Sequence, residues 1–128
     1  MIDLYTWHTP NGRKVSIMLE EIGIDYNVFP INIAKDEQFQ PHFLEVSPNN
    51  RIPAIVDKEN NNYSLFESGA ILMYLAEKSG KLINKSNSDE YYRTIEWLMW
   101  QMGGVGPMFG QVHHFVKYNK GKSAYAEE

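Results

Sequence analysis

Residues 47–76 read SPNNRIPAIVDKENNNYSLFESGAILMYLA, and the fold is decided in this stretch. Ser47-Pro48-Asn49-Asn50 signals a turn, because proline presets φ and asparagine tolerates the left-handed region. The turn opens into Ile52 to Val56, an apolar run containing Pro53; proline cannot donate in a sheet ladder and so belongs at a strand start. Asn60-Asn61-Asn62 predicts a hairpin into a second brief strand, Tyr63 to Phe66. From Glu67 to Ser79 the apolar residues Ile71, Leu72, Tyr74 and Leu75 form a helical stripe, and Gly80 is placed to end it.

On the N-terminal side, Met1 to Trp7 reads as a strand and Thr9-Pro10-Asn11-Gly12 as a turn. A helix is predicted over Arg13 to Ile22, with Val15, Ile17, Met18, Leu19 and Ile22 as its stripe and Gly23 as its stop. Asp25 to Ile33 follows as a second strand, then a polar loop around Lys35 to Gln40 and a short helix from Pro41 to Val46. The order strand–helix–strand–helix–strand–strand–helix predicts an α/β domain with a mixed sheet over residues 1–80. Residues 81–88 read as a linker. Asp89 is a candidate cap for a longer helix whose Tyr92, Ile95, Trp97, Leu98, Trp100 and Met102 need covering, which makes 89–128 the start of an all-helical region. After Gly103-Gly104-Val105-Gly106-Pro107 the helical pattern weakens.

The net charge of −4 provides no basic field for phosphate backbones, so nucleic acid is not an expected partner. No apolar run is long enough to cross a bilayer and the N-terminus lacks a secretory pattern, so a cytoplasmic protein without membrane contact is expected. There is no cysteine, so any thiol chemistry must use a thiol brought by the substrate. His113 and His114 are adjacent rather than three or four residues apart, which argues against a metal site.

Three junctions at the ends of the predicted strands can carry chemistry. At Thr9-Pro10-Asn11-Gly12 the start of a helix offers amides and a positive dipole end to an anion such as a thiolate, although by itself the tetrapeptide reads more simply as a loop with a helix cap. At Arg51-Ile52-Pro53-Ala54 a cis-proline would turn the preceding backbone toward a peptide-like ligand; an ordinary strand-initiating proline fits the same residues. At Phe66-Glu67-Ser68-Gly69 a carboxylate and a hydroxyl suit a ligand's ammonium and carboxylate, or else cap the helix. All three fall where ligands settle in open α/β sheets.

These segments, with Trp97 to Met108, resemble the cytosolic glutathione transferases, and in particular the bacterial Nu-class of glutathione-dependent disulfide-bond oxidoreductases. The resemblance implies a thioredoxin-like domain, with glutathione as cosubstrate and no metal. It places the sulfur near Thr9 and Asn11, the glycine end at Gln38, backbone pairing at Ile52 before cis-Pro53 with Arg51 beside it, and the γ-glutamyl group at Glu67 and Ser68. Tyr5, inside the strand, is not the catalytic tyrosine of other classes. The second substrate implied is a small disulfide, peroxide or electrophile, and the assembly implied is a homodimer. Related chains continue through several more helices, so this chain reads as cut within its helical domain. A non-catalytic interaction or regulatory module on the same fold is the alternative function, and an inactive product with an exposed Trp97 face is a third reading.

Overall fold

The computed structural model describes residues 1–127. In chain order the elements are β1 (Ile2–Thr6), α1 (Pro10–Ile22), β2 (Tyr26–Pro30), α2 (Pro41–Leu44), β3 (Ala54–Asp57), β4 (Tyr63–Phe66), α3 (Ser68–Ser79), α4 (Ser88–Trp100), α5 (Gly106–Val112) and α6 (Ala124–Glu127). They form two compact units, Met1–Asn84 and Lys85–Glu128, and the division falls inside the segment read as a linker.

In the first unit the sheet order is β2-β1-β3-β4, with β1 parallel to β2 and antiparallel to β3, and β3 antiparallel to β4. This is the mixed sheet of a thioredoxin-like domain. Strand side chains alternate between faces, so the register Leu4–Ile55–Leu65 puts those three residues on one face and Tyr5–Ala54–Phe66 on the other. The first face packs on Val15, Leu19 and Ile22 of α1 and Ile71 and Leu75 of α3. The second closes over Phe43 of α2 together with Ile31. Burying such side chains contributes roughly 1.5–3 kcal/mol each, and this holds the two layers to the sheet.

Several boundaries differ from the sequence reading. Helix α1 starts at Pro10, three residues early, because proline is suited to a first helical position and Thr9 caps it. Strand β2 stops at Pro30, and β3 begins at Ala54 rather than Ile52. The polar loop holds two 3-10 turns, Ile33–Lys35 and Glu37–Phe39. Asn61 and Asn62 both take positive φ in the hairpin, which asparagine accommodates.

In the second unit Asn87, not Asp89, caps α4: its side-chain oxygen accepts from the amides of Asp89 and Glu90 at 3.1 and 3.2 Å. Asp89 and Glu90 instead sit in the first turn, where carboxylates suit the dipole. The helical path does not fade at the glycines but runs on to Tyr118. A widened turn at Gln101–Val105, in which Gly106 donates five residues back to Gln101, delivers Pro107 into the first turn of α5, where a missing N–H is tolerated.

Candidate functional site

The register settles where the three junctions lie. Strands β1 and β4 are both antiparallel to β3 and so parallel to each other, and Tyr5, Ala54 and Phe66 stand side by side at one end of the sheet. The chain leaves that end into α1 and into α3, and arrives there through Arg51-Ile52-Pro53. The Ile52–Pro53 peptide is cis.

At the first junction Gly12 permits the close approach of α1 to β1. A Cβ there would meet Thr6 Oγ1 and would stand 2.6 Å from the Trp7 carbonyl oxygen. Thr9 Oγ1 accepts from the Gly12 amide at 3.1 Å and the Thr9 carbonyl accepts from Arg13 at 3.1 Å. Pro10 has no N–H, so the opening turn retains one backbone donor without a partner among the described residues, the amide of Asn11. Asn11 therefore offers both that amide and its own side chain at the positive end of the helix. Thr9 spends a lone pair on the cap and keeps a hydroxyl proton to donate.

Beside it runs the loop before β3. Buried Ser47 donates to the Arg51 carbonyl at 2.8 Å and Asn50 donates to the Ser47 carbonyl at 2.9 Å, which pins the turn that carries Asn50, Arg51 and Ile52. With Thr9, Asn11, Ile33, Gln38 and Phe39 these residues line a cleft of about 320 Å³. Gln38 Oε1 is buried in the cleft wall without a hydrogen-bond partner among the described residues, a costly condition that a donor on a ligand would relieve.

The third junction has a different character. Glu67 adopts φ 71 and ψ 113, outside the regions open to side-chain-bearing residues at low cost. No side chain caps α3, and the amides of Gly69 and Ala70 lack hydrogen-bond partners among the described residues. Asn49 donates to Glu67 Oε1 at 3.5 Å, and Lys14 of α1 donates to Ser68 Oγ at 3.2 Å. Burial lowers the pKa of Lys14, while the nearby Glu67 carboxylate works in the opposite direction.

Of the residues singled out in the sequence, Thr9, Asn11, Gln38, Arg51 and Ile52 share the cleft wall. Pro53 is buried behind it, and Glu67 and Ser68 lie outside the lining, at the start of α3. Sequence reasoning missed Lys14, Asn49 and Asn50. Asn49 and Asn50 could be found from their place next to Arg51, whereas Lys14 is one of two adjacent cations, with Arg13, on an amphipathic helix and carries no local signal. No group of three or more His, Asp or Glu residues able to hold a metal occurs among the described residues.

Comparison with known proteins gives one matching family model, glutathione S-transferase, N-terminal domain, over residues 1–77. The disulfide-bond oxidoreductase YfcG of Escherichia coli (strain K12) is 52% identical over 119 residues, which cover 90% of this chain and 55% of that protein. A glutathione transferase family member from Pseudomonas fluorescens Pf-5, solved with two glutathione bound, superposes with a TM-score of 0.87 at 53% identity over 99% of this chain and 55% of its own. A glutathione transferase from Pseudomonas putida, solved with one glutathione disulfide per subunit, gives a TM-score of 0.87 at 51% identity over 95% of this chain and 54% of its own. The chain thus spans about half the length of the relatives it matches.

Proposed function

The chain belongs to the glutathione S-transferase family, and from that premise we propose that it binds glutathione and serves as a glutathione-dependent disulfide-bond reductase. The observation that carries this reading is the cleft of about 320 Å³ that joins the amino end of α1 to Gln38 and to the backbone before Pro53, in a chain without cysteine. In this reading the tripeptide lies along the Ile52 backbone with its glycine end at Gln38 and its γ-glutamyl end at Glu67 and Ser68. Its sulfur rests against the Asn11 amide and side chain and the Thr9 hydroxyl.

The thiolate is the nucleophile in thiol–disulfide exchange, and donors aimed at it favour its formation. It attacks one sulfur of a small disulfide, forming a glutathione mixed disulfide and releasing the other sulfur as a thiolate, which takes up a proton. A second glutathione thiolate attacks the mixed disulfide at the glutathione sulfur and releases the remaining substrate thiol and glutathione disulfide. Two glutathiones supply the two electrons, and the protein supplies position and electrostatics.

Calorimetry with reduced and oxidised glutathione, paired with turnover of a mixed disulfide, tests the proposal. Saturable binding with glutathione-dependent reduction is the expected result. Binding without turnover would favour an interaction module, and no binding of either form would remove the reading altogether.

A further inference from the structure

Packing alone gives no reason for a lysine at position 14. It lies one turn into α1, half-buried, and its ammonium is spent on Ser68 Oγ, a residue 54 positions away at the first turn of α3. A cation next to a helix amino end opposes the dipole, and partial burial of an ammonium adds a desolvation cost. A methionine of similar reach would fill the α1–α3 seam without either penalty. The same corner holds the uncapped amides of Gly69 and Ala70, also positive in character. Against these stands the carboxylate of Glu67, held by Asn49 at a strained backbone angle. A ligand group that carries an ammonium for Glu67 and a carboxylate for the positive side balances such a corner, and an α-amino acid head is such a group.

Resting on the glutathione reading above, we propose that Lys14 is a positioning residue for the α-carboxylate of the ligand's glutamyl end: it holds Ser68 Oγ in place and supplies the positive charge behind it. Lys14 acts through Ser68 and does not touch the reacting sulfur. Its removal therefore weakens recognition of one ligand group and leaves the remaining contacts intact.

The test is a cycle between protein and ligand. Glutathione and its analogue lacking only the glutamyl α-carboxylate, 4-aminobutanoyl-cysteinyl-glycine, are titrated calorimetrically into the full chain, Lys14→Met and Lys14→Arg. Loss of a charge-supported hydrogen bond corresponds to about tenfold in affinity, so Lys14→Met should bind glutathione about tenfold more weakly. It should bind the decarboxylated analogue within about twofold of the parent chain, because the carboxylate that Lys14 serves through Ser68 is already gone. Lys14→Arg should recover most of the glutathione affinity. An equal loss for both ligands would mean that Lys14 only braces the helices, and no loss would remove its role. If Lys14→Met proves unfolded by circular dichroism, the ratio of the two affinities in Lys14→Arg against the parent decides the matter, and an unchanged ratio with both affinities reduced overturns the proposal. Failure of the parent chain to bind glutathione would instead sink the site reading itself.

Discussion

At one end of the four-stranded sheet Ile2, Asp57 and Tyr63 stand in register, and at the other Tyr5, Ala54 and Phe66. The first end is electrostatically closed. The fully buried Asp57 carboxylate accepts from the Tyr74 hydroxyl at 2.7 Å, the Lys78 ammonium at 2.9 Å and the Glu59 amide at 3.0 Å. Lys78 also reaches Glu59 at 3.2 Å, Glu59 meets the N-terminal ammonium at 2.5 Å, and Lys58 pairs with Asp3 at 3.0 Å. The second end is open: among the described residues the Gln38 oxygen has no partner and no side chain caps α3, and beside them stand a strained Glu67 and a half-buried Lys14. One end of the sheet thus pairs the carboxylates of Asp3, Asp57 and Glu59 with cations, and the other keeps donors and acceptors that a ligand could complete. In the proposed reading this difference separates stability from binding along a sheet only a few residues long, and it can be broken from either side.

The largest expected effect is at the closed end. Asp57→Ala leaves Lys78, Tyr74 and the Glu59 amide facing a buried gap, and breaking a buried pair in this way costs about 3–5 kcal/mol. Urea unfolding should show that loss while glutathione affinity in the folded fraction stays unchanged; an intact stability would break the contrast. The pH dependence has a definite sign. Burial alone would raise the Asp57 pKa, but Lys78, Tyr74 and the Glu59 amide outweigh it and hold the carboxyl below its ordinary 3.8. Because the folded pKa lies below the unfolded one, the contribution of Asp57 is complete above 3.8 and is lost as pH falls through the folded value. The acid limb of a stability–pH curve should therefore flatten in Asp57→Ala.

Next in size is Asn11→Ala at the open end, read by turnover of a mixed disulfide. Removing one donor aimed at a developing anion costs about 2.7–4 kcal/mol, or roughly 10²–10³ in kcat. The Asn11 amide and the Thr9 hydroxyl remain, so activity should fall without vanishing, and thermal stability should hold because the Thr9 cap is untouched. Kinetics indistinguishable from the parent chain would remove Asn11 from the site.

How far this division could be read in the sequence depends on the range of the interactions. The three junctions were legible because each rests on local chemistry: Pro10 and Thr9 at a helix start, Pro53 at a strand entry, and Glu67-Ser68 at the second helix start. That they share one end of the sheet followed from the expected element order, while the alignment of Tyr5, Ala54 and Phe66 required the strand register. The Lys14–Ser68 bond and the Asp57–Tyr74–Lys78 cluster join residues distant in sequence, and no spacing rule announces them. In the helical segment the cap is Asn87, two positions before the expected Asp89, because the helix already begins at Ser88. The run through Gly106-Pro107 was missed because a widened turn absorbs the proline, a possibility invisible to a 3.6-residue periodicity.

The smallest change tests the contrast most directly, because its two consequences have opposite signs. Glu67 sits at φ 71, ψ 113, a conformation that costs an ordinary residue about 1–3 kcal/mol and a glycine much less. Its side chain contributes little to the fold in return: it is exposed, makes a long 3.5 Å contact with Asn49 and does not cap α3. Relief of that strain, partly offset by the greater unfolded-state freedom of glycine, should make Glu67→Gly more stable by about 1 kcal/mol. The same substitution removes the carboxylate proposed to hold the ligand's ammonium, so glutathione affinity should fall by about tenfold. A residue kept for folding would lose stability on replacement, and one kept for neither purpose would leave binding alone. Only a residue whose backbone strain is retained for its side chain gains stability as it loses affinity, and a variant that failed to separate the two would show that this end of the sheet is arranged for folding like the other.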